Sequence, residues 1–498
     1  MIPLSILSHF KILRAAILCC CAIILAKAES PVEIPPPPPP TLTGKLAYPF
    51  SNHAVLQQKM PIPVWGGNCL PQTNITVQFH GQKKTTTADT NGDWKVTLDP
   101  MVADPMPSIH EAPKGHEMLI TYAKDNQNAA MTINDILIGE VWLCAGQSNM
   151  AGAMRKHASA HYPENSLATA QFPALRQLVS ANDKEWLVCS PDTAVNFKRV
   201  CFFFARRIHQ ETHIPVGFIN ASFGGSSIEQ WLKHTEYPTG QHFSTMVAPL
   251  APFPIRGTIW YQGESNSNDG YAYLPKLSAL IHGWRDVWNQ PDSLDANGPR
   301  RLFSFYFVQL PGIGVSDPAN PTMGDGRAGI RRAFNDATLI KNTAMAICHD
   351  VGAKNEHPPF KYDTGYRLAQ LALHHDYGKK NLIPTGPLYQ SHKKEGSSIR
   401  IKFQYADGLI VATKEGMSPA TPSPEKNIAW LSIQAKSGSW HWANGKIDGT
   451  DLIVSSPEVA EPTAVRYAYT NNPNGALLYN KEGIPAAPFA TDIPPAAQ

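Results

Sequence analysis

Four apolar runs in the middle of the chain are each followed by residues that can take part in acyl transfer. Ser148 follows the first run, the pair Gly224-Gly225 the second, Glu264 and Asn266 the third, and His357 the last. A serine hydroxyl becomes an effective nucleophile when a neighbouring imidazole accepts its proton. Backbone and amide N–H groups can stabilise the oxyanion that forms when the serine attacks a carbonyl carbon. These residue types therefore predict ester hydrolysis through a covalent serine intermediate.

Each of these residues has a simpler interpretation when it is taken alone. Ser148 could cap a helix, the glycine pair could form a loop, Asn266 could close an Asx turn, and His357 could lie in a turn. In an open α/β sheet, however, ligands bind at the carboxyl ends of the strands. Because all of these residues follow strands of one predicted sheet, we expect them to meet at one edge of it.

The oxyanion donors are predicted from the same positions. We expect Ser148 to provide its own backbone N–H as well as the nucleophilic hydroxyl. Gly224 or Gly225 offers a second N–H, which can approach closely because glycine has no side chain. The side-chain amide of Asn266 offers a third donor.

The elements that must position these residues alternate between strand and helix. Apolar runs separated by helix-length segments are typical of a parallel sheet covered on both faces. The predicted strands are 138–144, 216–220, 257–261, 302–309 and 343–349. The predicted helices are 164–179, 196–212, 271–288, 326–340 and 366–377. We therefore predict an α/β domain over residues 136–380.

Short strands flank this region on both sides. They are separated by glycine, asparagine and proline turns, a pattern typical of sandwich-like β-domains. The N-terminal β-domain is predicted over 42–135, with strands at 61–65, 74–79, 94–98 and 118–122. The C-terminal β-domain is predicted over 381–498, with strands at 399–405, 409–414, 428–435, 438–443, 451–455 and 464–469.

Residues 1–28 predict a secretory signal peptide. Lys11 and Arg14 precede an apolar run over 15–25, and Ala26-Lys27-Ala28 provides a cleavage site. This run is shorter than the roughly 20 residues of a membrane span. We expect a secreted or periplasmic protein without stable membrane insertion after cleavage; an uncleaved anchor and lipoprotein processing are the alternatives. Residues 29–41 contain Pro35–Pro40, which predicts a semi-rigid proline-rich linker.

The charge balance excludes some classes of function. The chain has 43 Lys+Arg and 40 Asp+Glu residues. Cleavage after Ala28 would remove Lys11, Arg14 and Lys27 but no acidic residue, which leaves the two signs equal in number. This balance lacks the basic footprint of a nucleic-acid-binding protein.

The cysteines indicate neither a zinc site nor a certain disulfide. Cysteines follow the signal segment at positions 69, 144, 189, 201 and 348. Export permits disulfides, and their spacing makes Cys189 and Cys201 the most plausible pair. No CxxC pair occurs, so we do not expect zinc bound by cysteine.

Four blocks of sequence resemble the sialate O-acetylesterase branch of the SGNH hydrolases. The first, Gly139-Glu-Val-Trp-Leu-Cys-Ala-Gly-Gln-Ser-Asn-Met150, resembles the nucleophile block of that family. Residues 219–231 resemble its glycine block, 260–266 its Gln-Gly-Glu-x-Asn block, and 357–369 its histidine block. Shorter similarities at 55–57, 63–66 and 478–480 extend the resemblance over about residues 42–490.

The resemblance implies a fold, a reaction and a set of roles. The fold is an SGNH-type three-layer α/β sheet, and the substrate is an acetylated carbohydrate. Ser148 is the implied nucleophile, and His357 the implied general base and then acid. The implied oxyanion hole consists of the backbone N–H of Ser148, the N–H of Gly225 and the side-chain amide of Asn266. No metal or cofactor is needed.

The third member of a catalytic triad is not settled by the sequence. Many SGNH hydrolases carry an Asp three residues before the histidine, where this chain has Lys354. Asp350, which closes the last strand, and Glu264, at an adjacent strand end, are the main candidates. Glu356 ranks last because neighbouring side chains usually diverge. A dyad oriented by a backbone carbonyl is the remaining alternative.

Other functions fit less well. A metal hydrolase would use His349, Asp350, His357, His374, His375 or Asp376, but no HExxH or comparable spacing occurs. A classical α/β-hydrolase elbow would need glycine in place of Met150. An acetyl-xylan esterase with the same mechanism, and a non-catalytic glycan-binding protein on a hydrolase fold, stay as alternatives.

Overall fold

The computed structural model describes residues 39–493 apart from 156–161, 164–165, 181–184, 234–239, 290–292, 296–297 and 301. The predicted signal peptide and most of the predicted proline-rich linker lie outside the described residues. Within the described part of the chain, no helix combines the length and the apolar character that crossing a membrane requires.

The N-terminal region consists of short antiparallel strands whose side chains alternate between buried and exposed. β1 (Lys45–Leu46), β3 (Ile62–Gly67) and β6 (Trp94–Leu98) form one small sheet. β4 (Asn74–Phe79) pairs with β5 (Gln82–Thr87) and with β7 (His116–Lys124). The predicted β-pattern of this region is confirmed.

One long strand, β8 (Gln127–Gly146), leads from this region into the centre of the molecule. Its first half pairs antiparallel with β7 and has mostly exposed or half-buried side chains. From Ile136 onward every side chain is buried, and the strand joins the parallel sheet. The change follows from the environment, because an antiparallel ladder can face water on one side whereas a parallel sheet is covered on both.

The central sheet carries the predicted parallel strands. Its order is β10-β9-β11-β8-β12-β15-β16, and every pair in it is parallel except β10 with β9. The other strands of this series are β9 (Phe172–Val179), β10 (Leu187–Cys189), β11 (Val216–Ser222), β12 (Gly257–Tyr261), β15 (Ser304–Gln309) and β16 (Thr343–Ile347). β2 (Val55–Gln57) adds to β8 in parallel, and β13 (Ser293–Asp295) pairs with β14 (Gly298–Arg300) in a separate hairpin.

Helices connect these strands and cover the sheet. The helices are α1 (Ser148–Ala151), α2 (Arg199–Thr212), α3 (Tyr273–Trp288), α4 (Ala328–Ala337) and α5 (Lys361–His375). Four of the predicted helices correspond to α2, α3, α4 and α5, with shifted ends. The predicted α/β alternation is therefore confirmed.

The helix predicted over 164–179 is wrong for its described residues, since 166–171 form a turn and an irregular segment and the rest forms a strand. Phe172–Val179 forms β9, between β10 and β11. Pro173 lacks the N–H that a helix interior requires. The buried Arg176 side chain donates to Asp135, with Nη2 3.1 Å from Oδ1. These tertiary contacts outweigh the local helical pattern.

The C-terminal region returns to small antiparallel sheets around a separate apolar cluster. Its strands are β17 (Leu388–Glu395), β18 (Ser398–Gln404), β19 (Ile410–Thr413), β20 (Thr421–Pro422), β21 (Leu431–Ala435), β22 (Trp440–Trp442), β23 (Asn444–Asp448), β24 (Asp451–Ser455), β25 (Pro462–Tyr467), β26 (Leu477–Tyr479) and β27 (Phe489–Ala490). The sequence did not predict β17, because most of its side chains are exposed and polar and give no apolar alternation. The predicted domain boundaries stay predictions.

Among the described residues, the cysteine thiols at positions 69, 144, 189, 201 and 348 are free and buried. The Cys189 Sγ donates to the Ala170 carbonyl at 3.4 Å, and Cys201 Sγ lies 3.5 Å from the Met150 sulfur. Burial raises the pKa of the Cys189 thiol to about 12. The predicted Cys189–Cys201 disulfide is therefore wrong.

A buried carboxylate on β8 joins the N-terminal region to the central sheet. Glu140 is completely buried and accepts from Arg256 Nε at 2.7 Å and Nη2 at 2.9 Å. The Gln57 and Gln58 side chains also donate to it, and Gln57 Oε1 accepts from the Val141 N–H at 2.8 Å. Burial alone would raise the pKa of Glu140, but Arg256 and the two glutamines outweigh burial and lower it.

The C-terminal region is held to the central sheet by hydrogen bonds to its backbone. His349 Nε2 donates to the Ala486 carbonyl at 2.8 Å, and Arg331 Nη1 donates to the Thr470 carbonyl at 2.6 Å. Both side chains are buried. Burial lowers the pKa of His349 to about 4.

We expect His349 to make folding pH-dependent. Between its ordinary pKa of about 6.5 and the folded value of about 4, the unfolded chain binds a proton that the folded protein excludes. The free energy of unfolding should therefore fall as the pH is lowered through this window, by up to about 1.4 kcal/mol per pH unit. His349→Gln keeps an N–H for Ala486 but does not titrate. The free energy of unfolding of this variant, measured with urea at each pH, should therefore change less with pH between pH 6.5 and 4. If the free energy of unfolding changed equally with pH in the variant and in the wild type, this role of His349 would be contradicted.

Candidate active site

The predicted residues lie where the parallel strands end. β8 ends at Gly146, β11 at Ser222, β12 at Tyr261 and β16 at Ile347. The chain segments that follow these strands carry Ser148, the glycine pair, Glu264 and His357. Because carboxyl ends of parallel strands share one edge, the segments converge there.

Ser148 begins α1 after a sharp turn at the end of β8. Gly146 has φ +141°, and a Cβ at this position would lie 2.1 Å from the Tyr261 carbonyl oxygen. Only glycine fits this close approach between two strand ends. The turn leaves the Ser148 side chain half-buried, accessible from the carboxyl edge of the sheet.

Ser148 and His357 are in hydrogen-bond contact. His357 Nε2 lies 2.9 Å from Ser148 Oγ, although the two residues are 209 positions apart in sequence. His357 is exposed, so this edge of the sheet is open to solvent. With the ring proton on Nδ1, Nε2 accepts the serine proton, which is the arrangement that activates a serine nucleophile.

The carboxylate of Asp350 is bonded to Arg367 and not to His357. Both of its carboxylate oxygens accept from the guanidinium of Arg367, at 2.6 Å and 2.8 Å, and Tyr479 Oη lies 3.3 Å from Oδ2. Burial alone would raise the pKa of Asp350, but Arg367 outweighs burial and lowers it. Asp350 is a buried ion-pair partner of Arg367 in α5, and its place in a triad stays a prediction without a contact to support it.

Glu264 does not contact His357 either. Its Oε1 accepts from Asn149 Nδ2, and its Oε2 has no hydrogen-bond partner in the described part of the chain. Burial raises the pKa of Glu264, against the opposing effects of Arg327 and Asn149. Among the described residues, no carboxylate is hydrogen-bonded to the imidazole of His357.

The loop that carries His357 is anchored instead through the residues just before it. Asn149 Nδ2 donates to the Glu356 carbonyl at 2.9 Å, and the His357 N–H donates to Asn355 Oδ1 at 3.0 Å. The Glu356 carboxylate pairs with the buried Arg327, so its side chain diverges from His357 as expected. Arg327 Nη1 in turn donates to the Pro311 carbonyl at 2.8 Å.

Asn149 is the site residue that sequence reasoning missed. Besides its bonds to Glu264 and Glu356, its Oδ1 accepts from Lys361 Nζ at 2.6 Å. Lys361 is buried, and burial lowers its pKa to about 7 although Glu264 opposes the shift. A polar side chain between Ser148 and the apolar Met150, inside a block shared with the family, was the available signal.

The glycine turn faces the nucleophile. A Cβ on Gly224 would lie 3.8 Å from Ser148 Cβ, so the two backbones are close. Gly225 has φ +73° and is exposed. In the described part of the chain, its N–H has no backbone partner. The position of this turn is therefore compatible with the predicted role of Gly225 as an oxyanion donor.

The Asn266 side-chain amide is hydrogen-bonded to two carboxylates in this structure, and its predicted role as an oxyanion donor stays a prediction. Asn266 Nδ2 donates to Asp269 Oδ2 at 2.9 Å and to Glu229 Oε2 at 3.2 Å. Its Oδ1 accepts from the Ile228 N–H at 2.9 Å. Asn266 therefore fixes the short helix Ile228–Trp231, which follows the glycine turn.

Comparisons with known proteins show which family and which relatives this chain resembles. Residues 138–294 match the family described as carbohydrate esterase, sialic acid-specific acetylesterase. Human sialate O-acetylesterase is 28% identical over 90% of this chain and 92% of its own length. The rat sialate O-acetylesterase is 24% identical over 90% of this chain and 94% of its own length.

A solved structure is also similar. The crystal structure of a carbohydrate acetylesterase from Xanthomonas citri superposes with a TM-score of 0.75 at 28% identity, covering 90% of this chain and 99% of that chain. The resemblance to sialate O-acetylesterases is confirmed, and the comparisons indicate that the chain is a carboxylic ester hydrolase.

We expect Asn149→Ala to lower kcat for ester hydrolysis by up to about 10²-fold with little change in KM. A small displacement of a catalytic group is enough for a loss of this size. Steady-state kinetics with an aryl acetate measure the effect, and circular dichroism checks the fold.

Two further variants make this test specific. Asn149→Asp keeps an oxygen for Lys361 but no N–H for Glu356, so it should lose activity as well. Gln370→Ala removes another buried amide, which donates to the Ile383 carbonyl at 2.8 Å, and should keep the wild-type kcat. If both Asn149 variants kept the wild-type kcat, the Asn149 amide would not position His357.

Proposed function

We propose that this chain, a relative of the sialate O-acetylesterases, is an exported carbohydrate O-acetylesterase that works through a serine acyl-enzyme. The observation that carries the proposal is the 2.9 Å contact between Ser148 Oγ and His357 Nε2 at the carboxyl edge of the central sheet. The match of residues 138–294 to sialic acid-specific acetylesterases supports the acetyl ester and the carbohydrate as substrate class.

The proposed reaction proceeds in two halves. Ser148 Oγ attacks the carbonyl carbon of the acetyl group, and its proton moves to His357 Nε2. The C–O bond to the sugar then breaks, and the sugar oxygen takes the proton from His357. A water molecule, deprotonated by His357, attacks the acetyl-serine, and acetate leaves as Ser148 regains its proton.

The oxyanion of each tetrahedral intermediate needs donors that are already in place. We assign this role to the backbone N–H groups of Ser148 and Gly225, next to the close contact between Gly224 and Ser148. His357 works in this scheme as part of a dyad, oriented by its anchored loop. The reaction as written uses no metal or cofactor.

We also propose the fold type, the domain borders and the location of this enzyme. The order of the parallel strands and the positions of Ser148 and His357 support an SGNH-type fold for residues 136–380, with separate β-domains over 42–135 and 381–498. The signal-like segment 1–28 supports a secreted or periplasmic location.

An exposed aromatic ring lies at the rim of the site. Phe223 directly precedes the glycine turn and is 54% exposed, although it stacks on His242 with ring centroids 4.4 Å apart. The C–H face of a pyranose packs favourably on such a ring, since both surfaces are apolar. We assign Phe223 to contact with the sugar that carries the acetyl group.

Replacing either member of the dyad should abolish hydrolysis. Ser148→Ala removes the nucleophile, and His357→Ala removes the only group placed to accept its proton in the proposed scheme. Hydrolysis of an aryl acetate by both variants should fall by at least about 10³-fold, while circular dichroism stays that of the folded protein. A fluorophosphonate probe should label the wild type but not Ser148→Ala, and substantial turnover by Ser148→Ala would exclude the serine mechanism.

The substrate is tested by acetate release from acetylated sialic acids, acetyl-xylan and acetylated pectin. We expect the highest kcat/KM with acetylated sialic acids, and Phe223→Ala should raise KM for the glycan more than for an aryl acetate. Leu339→Ala, which truncates a side chain 56% exposed in the turn after α4, is the matched control. A preference for acetyl-xylan would favour that alternative, and glycan binding without any turnover would favour a non-catalytic protein.

A further inference from the structure

Three potential metal ligands meet on the N-terminal strands, outside the catalytic site. His80, Asp104 and His116 each offer one ligand atom, and these atoms lie within 4.8 Å of one another. Among the described residues, no other set of three histidine, cysteine or acidic side chains has ligand atoms this close together. Two histidines that the sequence analysis considered as metal ligands are hydrogen-bonded to backbone carbonyl groups instead: His349 bonds to Ala486 and His374 to Leu382.

The sheet register brings these residues together from separate parts of the sequence. His80 lies in the turn between β4 and β5, directly after the pair Phe79–Met118 that joins β4 to β7. His116 is the first residue of β7, so its ring comes to lie 4.7 Å from that of His80, centroid to centroid. Asp104 lies in the segment between β6 and β7. The strand pairing therefore fixes the positions of His80 and His116, and Asp104 comes from a connecting segment.

The carboxylate is held in place by the backbone of β8. Asp104 is 8% exposed, and its Oδ2 accepts from the Ile138 N–H at 2.7 Å. The Asp104 N–H donates to the Ile138 carbonyl at 3.0 Å. This leaves Oδ1 directed at His116 Nε2, 2.7 Å away. A ligand whose second oxygen is hydrogen-bonded to the protein is typical of metal sites.

The imidazole of His80 adds the feature that an ordinary His–Asp pair lacks. It is exposed, and within the described part of the chain no hydrogen bond to its ring occurs; its recorded contacts are the rings of Phe79 and His116. Its backbone has φ +49° in the two-residue turn with Gly81, and its ring lies 4.7 Å from that of His116 on β7. A second imidazole is thus free to complete a ligand set beside an established carboxylate–histidine pair.

We propose that His80, Asp104 and His116 bind a divalent transition-metal ion of the zinc class, with water completing the coordination. Two imidazoles and one carboxylate are a ligand set that suits Zn²⁺. Zinc holds nitrogen and oxygen ligands at about 2.0–2.2 Å, so ligand atoms already within 4.8 Å of one another need only small side-chain movements. The ion takes the place of the hydrogen bond between His116 and Asp104.

The ion would act as a structural cross-link. It would tie the β4–β5 turn to the start of β7 and, through Asp104, to β8 at Ile138. The expectation that no metal is needed concerned the reaction, and this ion takes no part in it. Its binding to the folded protein but not to the unfolded chain would raise the midpoint of thermal unfolding.

The test uses the full protein after treatment with a chelator. Zn²⁺ is titrated into it by calorimetry, Co²⁺ is added to look for visible d–d absorption bands, and thermal unfolding is followed with and without Zn²⁺. We expect one equivalent of Zn²⁺, cobalt bands typical of nitrogen and oxygen ligands, and a higher unfolding midpoint.

The variants are chosen so that the fold is kept. His80→Asn suits the positive φ at this position, and Asp104→Asn keeps an oxygen for the Ile138 N–H while it removes the charge. Each should weaken Zn²⁺ binding by at least about tenfold and remove the rise in the unfolding midpoint. Aryl acetate hydrolysis should stay at the wild-type level, which reports an intact fold and separates this site from the proposed function.

The matched control is His53→Asn. His53 also has a positive φ, of 64°, and its Nδ1 lies 2.7 Å from Asp135 Oδ2, but Asp135 pairs with Arg176 and not with a second imidazole. This variant should bind Zn²⁺ like the wild type. Absence of Zn²⁺ binding to the wild type, or equal loss of binding in the control, would overturn the proposed site.

Discussion

The structure holds an exposed imidazole within hydrogen-bond distance of a serine hydroxyl, and none of the described carboxylates is bonded to that imidazole. Ser148 and His357 come from distant parts of the sequence, and their contact of 2.9 Å depends on how the loop before His357 is fixed. That loop is bound by Asn149 through the Glu356 carbonyl, and Asn149 is the neighbour of Ser148 in α1. One short helix therefore carries the nucleophile and also positions its base. A displacement of α1 moves both groups together.

Two buried ionisable side chains of opposite charge type lie next to α1. Glu264 and Lys361 are both buried and both bonded to Asn149, one as an acceptor and the other as a donor. Burial raises the pKa of Glu264 and lowers that of Lys361, so each side chain is shifted toward its neutral form. The Asn149 amide is polar but uncharged, and it bonds to both side chains, although Glu264 Oε2 has no hydrogen-bond partner in the described part of the chain. This explains why a central amide is present where an ion pair would place two full charges in a buried environment.

The sequence predicted the layout of the site better than its individual bonds. Strand and helix periodicity, together with the rule that ligands bind at carboxyl strand ends, was enough to bring Ser148, Gly225 and His357 to one edge. It was not enough for Asp350, whose partner Arg367 lies one helix further on, because strand order does not specify which neighbour a side chain bonds. The same holds for Asn266, a predicted oxyanion donor whose N–H groups are bonded in this structure to the carboxylates of Asp269 and Glu229. β9 and β17 were missed for a related reason, since tertiary contacts and not local patterns define them.

The long strand β8 has a consequence for how this protein could be divided. It passes without a break from its pairing with β7 into the middle of the parallel sheet, and its buried Glu140 is bonded to Gln57 and Gln58 near β2. A version of the chain that started at the predicted border of residue 136 would cut through the strand and strip an interior carboxylate of two amide partners. The α/β layer is consequently not an autonomous module that can be excised or grafted at that border. Any transplantation of this catalytic unit would have to carry the N-terminal strands along with it.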